Sequence, residues 1–216
     1  MLALVLLDDR HLADALFVQT LGRFVAGHTG PLVFVHGDGG LTARALEARG
    51  ILPGDPLPEG VDVARVAAHR AQTQTLVRRL SDAGVPAAGF QGHERGLLAV
   101  DAAGAVSAPR AAWLAAEAAR GAVPVVAATA RTAASEAACV PGGEALAALA
   151  RALAPEAKIV LLAATDRPDA PVDGHAAVAA ARAGVPVRVG TVPALFAPRV
   201  VLESPGRAAA GDACRR

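Results

Sequence analysis

Apolar residues in this chain gather in short continuous runs, and segments with helical spacing fill the intervals between them. The runs cover residues 2–7, 31–35, 85–90, 123–128, 158–163, 185–189 and 199–202. Continuous rather than alternating runs mean strands buried on both faces, as in a parallel sheet covered by helices. Helical spacing occupies residues 12–25, 41–48, 64–81, 111–120, 143–153 and 175–182. The pattern predicts an α/β fold, a three-layer αβα sandwich around a mainly parallel central sheet. A Gly-Val-Pro phrase at Gly84 and Gly184, and more loosely Gly121 to Pro124, closes a helix just before a strand. Glycine suits the left-handed cap, and proline tolerates a strand's first position.

Two stretches depart from this alternation. Residues 96–100 and 105–107, joined by Asp101-Ala102-Ala103-Gly104, read as a β-hairpin flap beside the sheet. Residues 53–60 carry Pro53, Pro56 and Pro58 and read as a loop. The expected organisation is one domain over residues 1–206, with halves of about 1–128 and 129–206 and a tail at 207–216.

Composition narrows the classes. A chain of 216 residues with 53% hydrophobic content can bury one substantial core. The formal charge is +1 with basic residues dispersed, so neither nucleic acid nor an anionic membrane is an expected partner. The first run is too short to span a bilayer and lacks a leader's basic flank, so it reads as a buried strand. Cys139 and Cys214 are far apart in sequence, which argues against a disulfide framework and fits a reducing cytoplasm. Lys158 is the only lysine in an arginine-rich, alanine-rich chain.

The chemistry concentrates at the end of the second run, where Leu32-Val33-Phe34-Val35 enters His36-Gly37-Asp38-Gly39-Gly40 and a helical pattern follows. Glycine N–H groups at a helix start form a natural anion seat, so His36, Gly37, Asp38, Gly39 and Gly40 are candidate substrate or anion ligands. Gly92 and His93, after another strand, join them. The Asp8-Asp9 pair reads as a helix cap, with magnesium as the alternative role. No Cys/His/Asp spacing indicates a metal site.

Leu32 to Gly37, Ser81 to Ala99, Ala119 to Ala127, and Ala157 to Leu162 with Thr165 to Pro168, taken in this order, resemble the acetylglutamate kinase branch of the amino acid kinase family. Leu32 to Gly37 is similar to the strand entering its His-Gly-Gly-Gly turn. Ser81 to Ala99 is similar to its strand and flap over the acyl-amino-acid. Ala119 to Ala127 is similar to its next helix end and strand, and Ala157 to Leu162 with Thr165, Asp166, Arg167 and Pro168 to the Thr-Asp-x-Pro opening of its nucleotide half. The resemblance implies phosphoryl transfer from ATP to the side-chain carboxylate of an N-acylated acidic amino acid, with Thr165, Asp166 and Pro168 as nucleotide contacts.

The family's charged machinery is replaced. Its Lys-x-Gly-Gly turn is Leu7-Asp8-Asp9 here, its Asn-Ala-Asp turn is Val140 to Glu144, and its Gly-Met-x-x-Lys helix start is Gly174 to Val178. Gly60-Val61-Asp62-Val63 stands where the family has Arg-Val-Thr-Asp. Phosphoryl transfer depends on cations over the phosphates. The expectation is a catalytically impaired relative in arginine-type or lysine-type biosynthesis, binding a small acidic metabolite or regulating an active amino acid kinase or biosynthetic enzyme by association. The alternative is an active kinase, using ATP and magnesium with displaced groups for which Arg10, Arg131, Arg167 and Glu144 are candidates. The resemblance further implies a homodimer through the helix over residues 64–81.

Overall fold

Leu2, Leu4 and Leu6 pack into the core on one side of the first strand and Ala3, Val5 and Leu7 into the core on the other, all six buried. The computed structural model describes residues 1–164, 167–171 and 174–196. In chain order the elements are β1 (Leu2–Leu7), α1 (Asp9–Ala13), α2 (Ala15–Ala26), β2 (Leu32–His36), α3 (Leu41–Glu47), α4 (Val61–Asp82) and β3 (Ala87–Gln91). Then come β4 (Ala99–Val100), β5 (Val106–Ser107), α5 (Ala112–Ala119), β6 (Val123–Ala127), β7 (Thr129–Arg131) and β8 (Ala137–Cys139). The last are α6 (Gly142–Ala152), β9 (Ala157–Ala164), β10 (Arg167–Pro171), α7 (Gly174–Arg182), β11 (Val187–Gly190) and α8 (Val192–Phe196).

The central sheet runs β11-β9-β1-β2-β6-β3 with every neighbour parallel, and β10 lies antiparallel to the end of β9. Helices α5, α6 and α7 cover one face, with Leu114, Leu146, Leu149 and Ala180 buried there. Helices α2, α4 and α8 cover the other through Val18, Leu21, Leu76, Leu80 and Phe196. Each fully buried Leu, Val or Phe contributes roughly 1.5–3 kcal/mol. The α/β sandwich with its mainly parallel sheet is the expected fold. In α6, residues 145–150 are all buried because the helix is pressed between the sheet and α7, where Gly143 lets the backbone of Ala176 approach.

The structure corrects some element boundaries. The helix expected over residues 12–25 is divided at Asp14, whose carboxylate accepts the Leu16 and Phe17 amides at 2.9 and 3.1 Å and starts α2 as its own cap. The flap hairpin pairs Ala99 with Ser107 and Val100 with Val106. It belongs to a small second sheet ordered β5-β4-β7-β8. Strands β7 and β8 have three residues each, too few for a period to register in sequence. Among the described residues, no helix is long and apolar enough to cross a membrane. The strand expected over residues 199–202, the tail and Cys214 lie outside the described residues.

Candidate functional site

β1 and β2 end side by side, with Leu7 paired to His36, so the residues that follow them share one end of the sheet. A cleft of about 900 Å³ opens there. Its walls come from Asp8, Asp9 and Arg10 after β1, Gly37, Asp38 and Gly40 after β2, Arg65 and His69 of α4, and Cys139 to Gly142 leading into α6. The proline-rich segment that includes Ile51, Leu52, Asp55 and Leu57 forms the rim. Crevices at the carboxyl ends of parallel strands are the usual ligand sites of open α/β sheets.

The turn after β2 is occupied by the chain's own carboxylates. Gly39 and Gly40 adopt left-handed φ values of 66° and 70°. The Gly39 amide donates to Asp9 Oδ1 at 3.0 Å. The Gly40 and Thr42 amides donate to Asp38 Oδ1 and Oδ2 at 2.9 and 3.1 Å. Arg44 folds back on the same turn and donates to the Gly39 carbonyl at 2.7 Å. The seat expected for a ligand's anion is thus held by Asp9 and Asp38.

Asp8 caps α1, accepting the Arg10 and His11 amides at 2.9 and 3.0 Å, and lies 2.9 Å from the His11 ring. Burial works to raise the Asp8 carboxyl, but the hydrogen bonds from His11 and Arg10 outweigh it and leave it below the usual value. Asp38 is likewise desolvated, and the bonds from Thr42 and Gly40 bring it below the usual value. Asp9 goes the other way: burial, then the charges of Asp38 and Asp8, raise it despite the Gly39 bond.

Behind the turn lies a buried polar chain. His36 is fully buried, and desolvation pushes its imidazole down to about 4, so it is neutral. Its Nδ1 donates to the Gly37 carbonyl at 2.6 Å, since a carbonyl only accepts. Nε2 is then an acceptor, 3.0 Å from the Thr73 hydroxyl, whose single hydrogen also reaches the His69 carbonyl at 2.9 Å and whose oxygen accepts from Gln91 Nε2 at 3.0 Å. This chain ties β2, α4 and β3 together and fixes the tautomer of His36.

His69, one helical turn before Thr73, is 6% exposed and lines the cleft. Its Nδ1 donates to the Arg65 carbonyl at 2.9 Å, and the Cys139 sulfur lies 3.6 Å from the same atom. Burial pushes the Cys139 thiol up to about 11, which makes it a poor nucleophile at neutral pH. Neither Arg65 nor His69 stands out as a motif. Their signal is the polar run His69, Gln72 and Thr73 on the buried stripe that continues as Leu76 and Leu80 of α4.

The other sequence-predicted residues are dispersed. Gly92 and His93 do not line the cleft. Instead, His93 Nδ1 lies 3.0 Å from the Thr129 hydroxyl, and its carbonyl accepts from Arg131 Nε at 3.3 Å, which fastens the exit of β3 to β7. Desolvation lowers the His93 imidazole, with Arg70 and Arg131 adding to it against Glu94. Glu144 stands in the first turn of α6, outside the cleft lining, and Arg131 is exposed at the end of β7. Arg167 and Pro168 fall in β10 beyond β9, away from β1 in strand order. Thr165 and Asp166 lie outside the described residues. Lys158 pairs in register with Ala3, at the opposite end of the sheet. Among the described residues, no three His, Cys, Asp or Glu side chains come together as a metal site.

Solved structures share this architecture. N-acetylglutamate synthase from Neisseria gonorrhoeae, complexed with coenzyme A and N-acetyl-glutamate, superposes with a TM-score of 0.60 at 18% identity, covering 86% of this chain and 53% of its own. An isopentenyl phosphate kinase superposes at 0.56 with 14% identity, covering 89% and 92%. Aspartate kinase from Synechocystis gives 0.58 at 19% identity, covering 76% of this chain and 28% of that one. These proteins have the amino acid kinase fold, and this chain has it too. The chain spans about half the length of the synthase. No protein-family model matches the sequence, and no curated protein matches it.

Proposed function

We propose that this chain binds a small metabolite in the cleft at the ends of β1 and β2 and does not transfer a phosphoryl group. The observation that carries this reading is the occupation of the Gly39, Gly40 and Thr42 amides by Asp9 and Asp38. A transferring phosphoryl group needs such donors free and needs cations beside them. Here the cleft is lined by Asp8, Asp9, Asp38, Glu47 and Asp55 against Arg10 and Arg65. In this reading the protein is an acetylglutamate kinase-like relative in amino-acid biosynthesis, acting in the cytoplasm as a metabolite-binding or regulatory protein. It forms a homodimer and associates with an active kinase or biosynthetic enzyme.

Incubation with ATP, magnesium and N-acetylglutamate, with hydroxylamine to trap an acyl phosphate, tests the reading. The expected yield equals that of a control without protein. Turnover above the control that is lost in Arg10→Ala or Arg65→Ala overturns it and restores an active kinase with displaced cations, these being the arginines that line the cleft among the described residues.

A further inference from the structure

We infer that the ligand of this cleft is a small organic cation, an ammonium or guanidinium compound rich in N–H donors, received by Asp9, Asp38 and His69. The inference rests on the reading of the cleft as a binding site without phosphoryl transfer, and it names the ligand class.

His69 supplies the decisive observation. It is 6% exposed, its Nδ1–H is committed to the Arg65 carbonyl, and its Nε2 has no hydrogen-bond partner. In that tautomer Nε2 carries a lone pair, and the cleft is the solvent space that His69 lines. The residue is nearly buried but Nε2 itself reaches the cleft, so a donor on a ligand there meets an acceptor that is already oriented. An ionised carboxylate has no hydrogen to give it.

The carboxylates around it ask for the same complement. Asp9 uses Oδ1 on Gly39 and keeps Oδ2 unpartnered. Asp9 and Asp38 are close enough that the charge of Asp38 raises the Asp9 carboxyl. Arg44, six residues after Asp38, is turned onto the Gly39 carbonyl. These acceptors do not converge as a metal site, whereas the N–H fan of a guanidinium or a hydrated ammonium can serve groups spread over several ångströms. Arg10 and Arg65, also on the cleft wall, can receive a carboxylate on the far end of an amino-acid ligand.

Calorimetric titration of the full chain with agmatine at low ionic strength tests this, with tetramethylammonium as a cation without N–H donors and glutarate as an anion without N–H donors. Saturable agmatine binding is expected, with no comparable heat from either control and a shift of the His69 Nε2 nitrogen resonance. Asp9→Asn and His69→Gln are each expected to weaken binding about tenfold, the loss of one hydrogen bond to a charged group. Asp9 is exposed, so its variant keeps the test valid if His69→Gln fails to fold. Absence of agmatine binding, binding matched by tetramethylammonium, or affinity unchanged in Asp9→Asn overturns the inference. Acyl-phosphate formation in the trapping assay would instead overturn the non-transferring reading, so the two failures are distinguishable.

Discussion

Asp9 Oδ1 accepts the Gly39 amide at 3.0 Å, fastening the residue after β1 to the turn after β2. The contact links the ends of two neighbouring strands of the central sheet. A Cβ on Gly37 would meet the same Asp9 oxygen at 2.9 Å, so the carboxylate and the turn fit without spare room. A carboxylate held by backbone amides at a helix start is as well placed electrostatically as a bound anion. The chain therefore satisfies internally the donors that its glycine pattern advertises.

Crystals grown in sulfate should accordingly show no anion on the Gly39 and Gly40 amides of the unaltered protein. The double variant Asp9→Ala, Asp38→Ala should admit one. Loss of the Asp38 cap should cost about 1 kcal/mol, measured by urea denaturation. Sulfate bound at the turn with both carboxylates present would show that the internal contacts give way readily.

The neutral His36 makes stability depend on acid. Its imidazole stands at about 4 in the folded chain against the usual 6.5, with burial as the main cause. Between those values the unfolded chain takes up a proton that the folded chain does not. Stability therefore falls as pH drops through that window, by about 3 kcal/mol in full, and His36 adds no further slope below it. Urea midpoints from pH 7 to 4 should show this slope, and it should be shallower in His36→Gln than in the parent. Equal slopes would remove His36 as the source.

Asp9 has the opposite sign. Its raised carboxyl means that ionisation is disfavoured in the folded chain, so Asp9→Asn should stabilise the protein at neutral pH and the gain should fade in acid. Much of the side chain faces solvent, which limits the gain to no more than about 1 kcal/mol. A lower melting temperature for Asp9→Asn at pH 7 would mean that the Gly39 contact outweighs the repulsion.

Gly92 tests the tether at the end of β3. A Cβ there would run into the carbonyl oxygens of Thr129 and Ala127, backbone atoms that cannot swing aside, and into the Leu98 side chain. Gly92→Ala should destabilise by about 3 kcal/mol or more, while Gly27→Ala, where the Cβ meets the Phe24 oxygen at an ordinary 3.7 Å, should stay within about 0.5 kcal/mol. Comparable melting temperatures for the two variants would contradict the packing.

The parallel core was legible in the sequence because strands such as Phe34 and Val126 sit in runs that are apolar on both faces. The site was legible only in part. His36 to Gly40 and Asp8-Asp9 were visible as motifs, but their mutual satisfaction depends on a contact between residues 9 and 39 that no local pattern encodes. His69 was hidden because a polar residue on a helix reads as solvated unless its place on the buried stripe is noticed. Asp14 broke an otherwise continuous helical pattern because a carboxylate with free amides ahead of it competes with the helix interior.

A homodimer through α4 would have to use the outer face of that helix. Leu76 and Leu80 of α4 are fully buried within the chain's own core, so they are unavailable to a partner and substitution there tests folding instead. The outer face of α4 carries Val63, Ala67, Ala71, Gln74 and Arg78, all exposed, and Val63 is 75% so. Small residues at helical spacing let two helices approach across a two-fold axis, and a self-complementary patch needs no catalytic chemistry. Ala67→Glu or Ala71→Glu would set like charges face to face across that axis. Light scattering at tens of micromolar, roughly where a modest interface holds, should give a dimer for the parent and a monomer for either variant, with circular dichroism unchanged. A monomeric parent, or a dimer indifferent to both substitutions, would place any self-association elsewhere on the molecule.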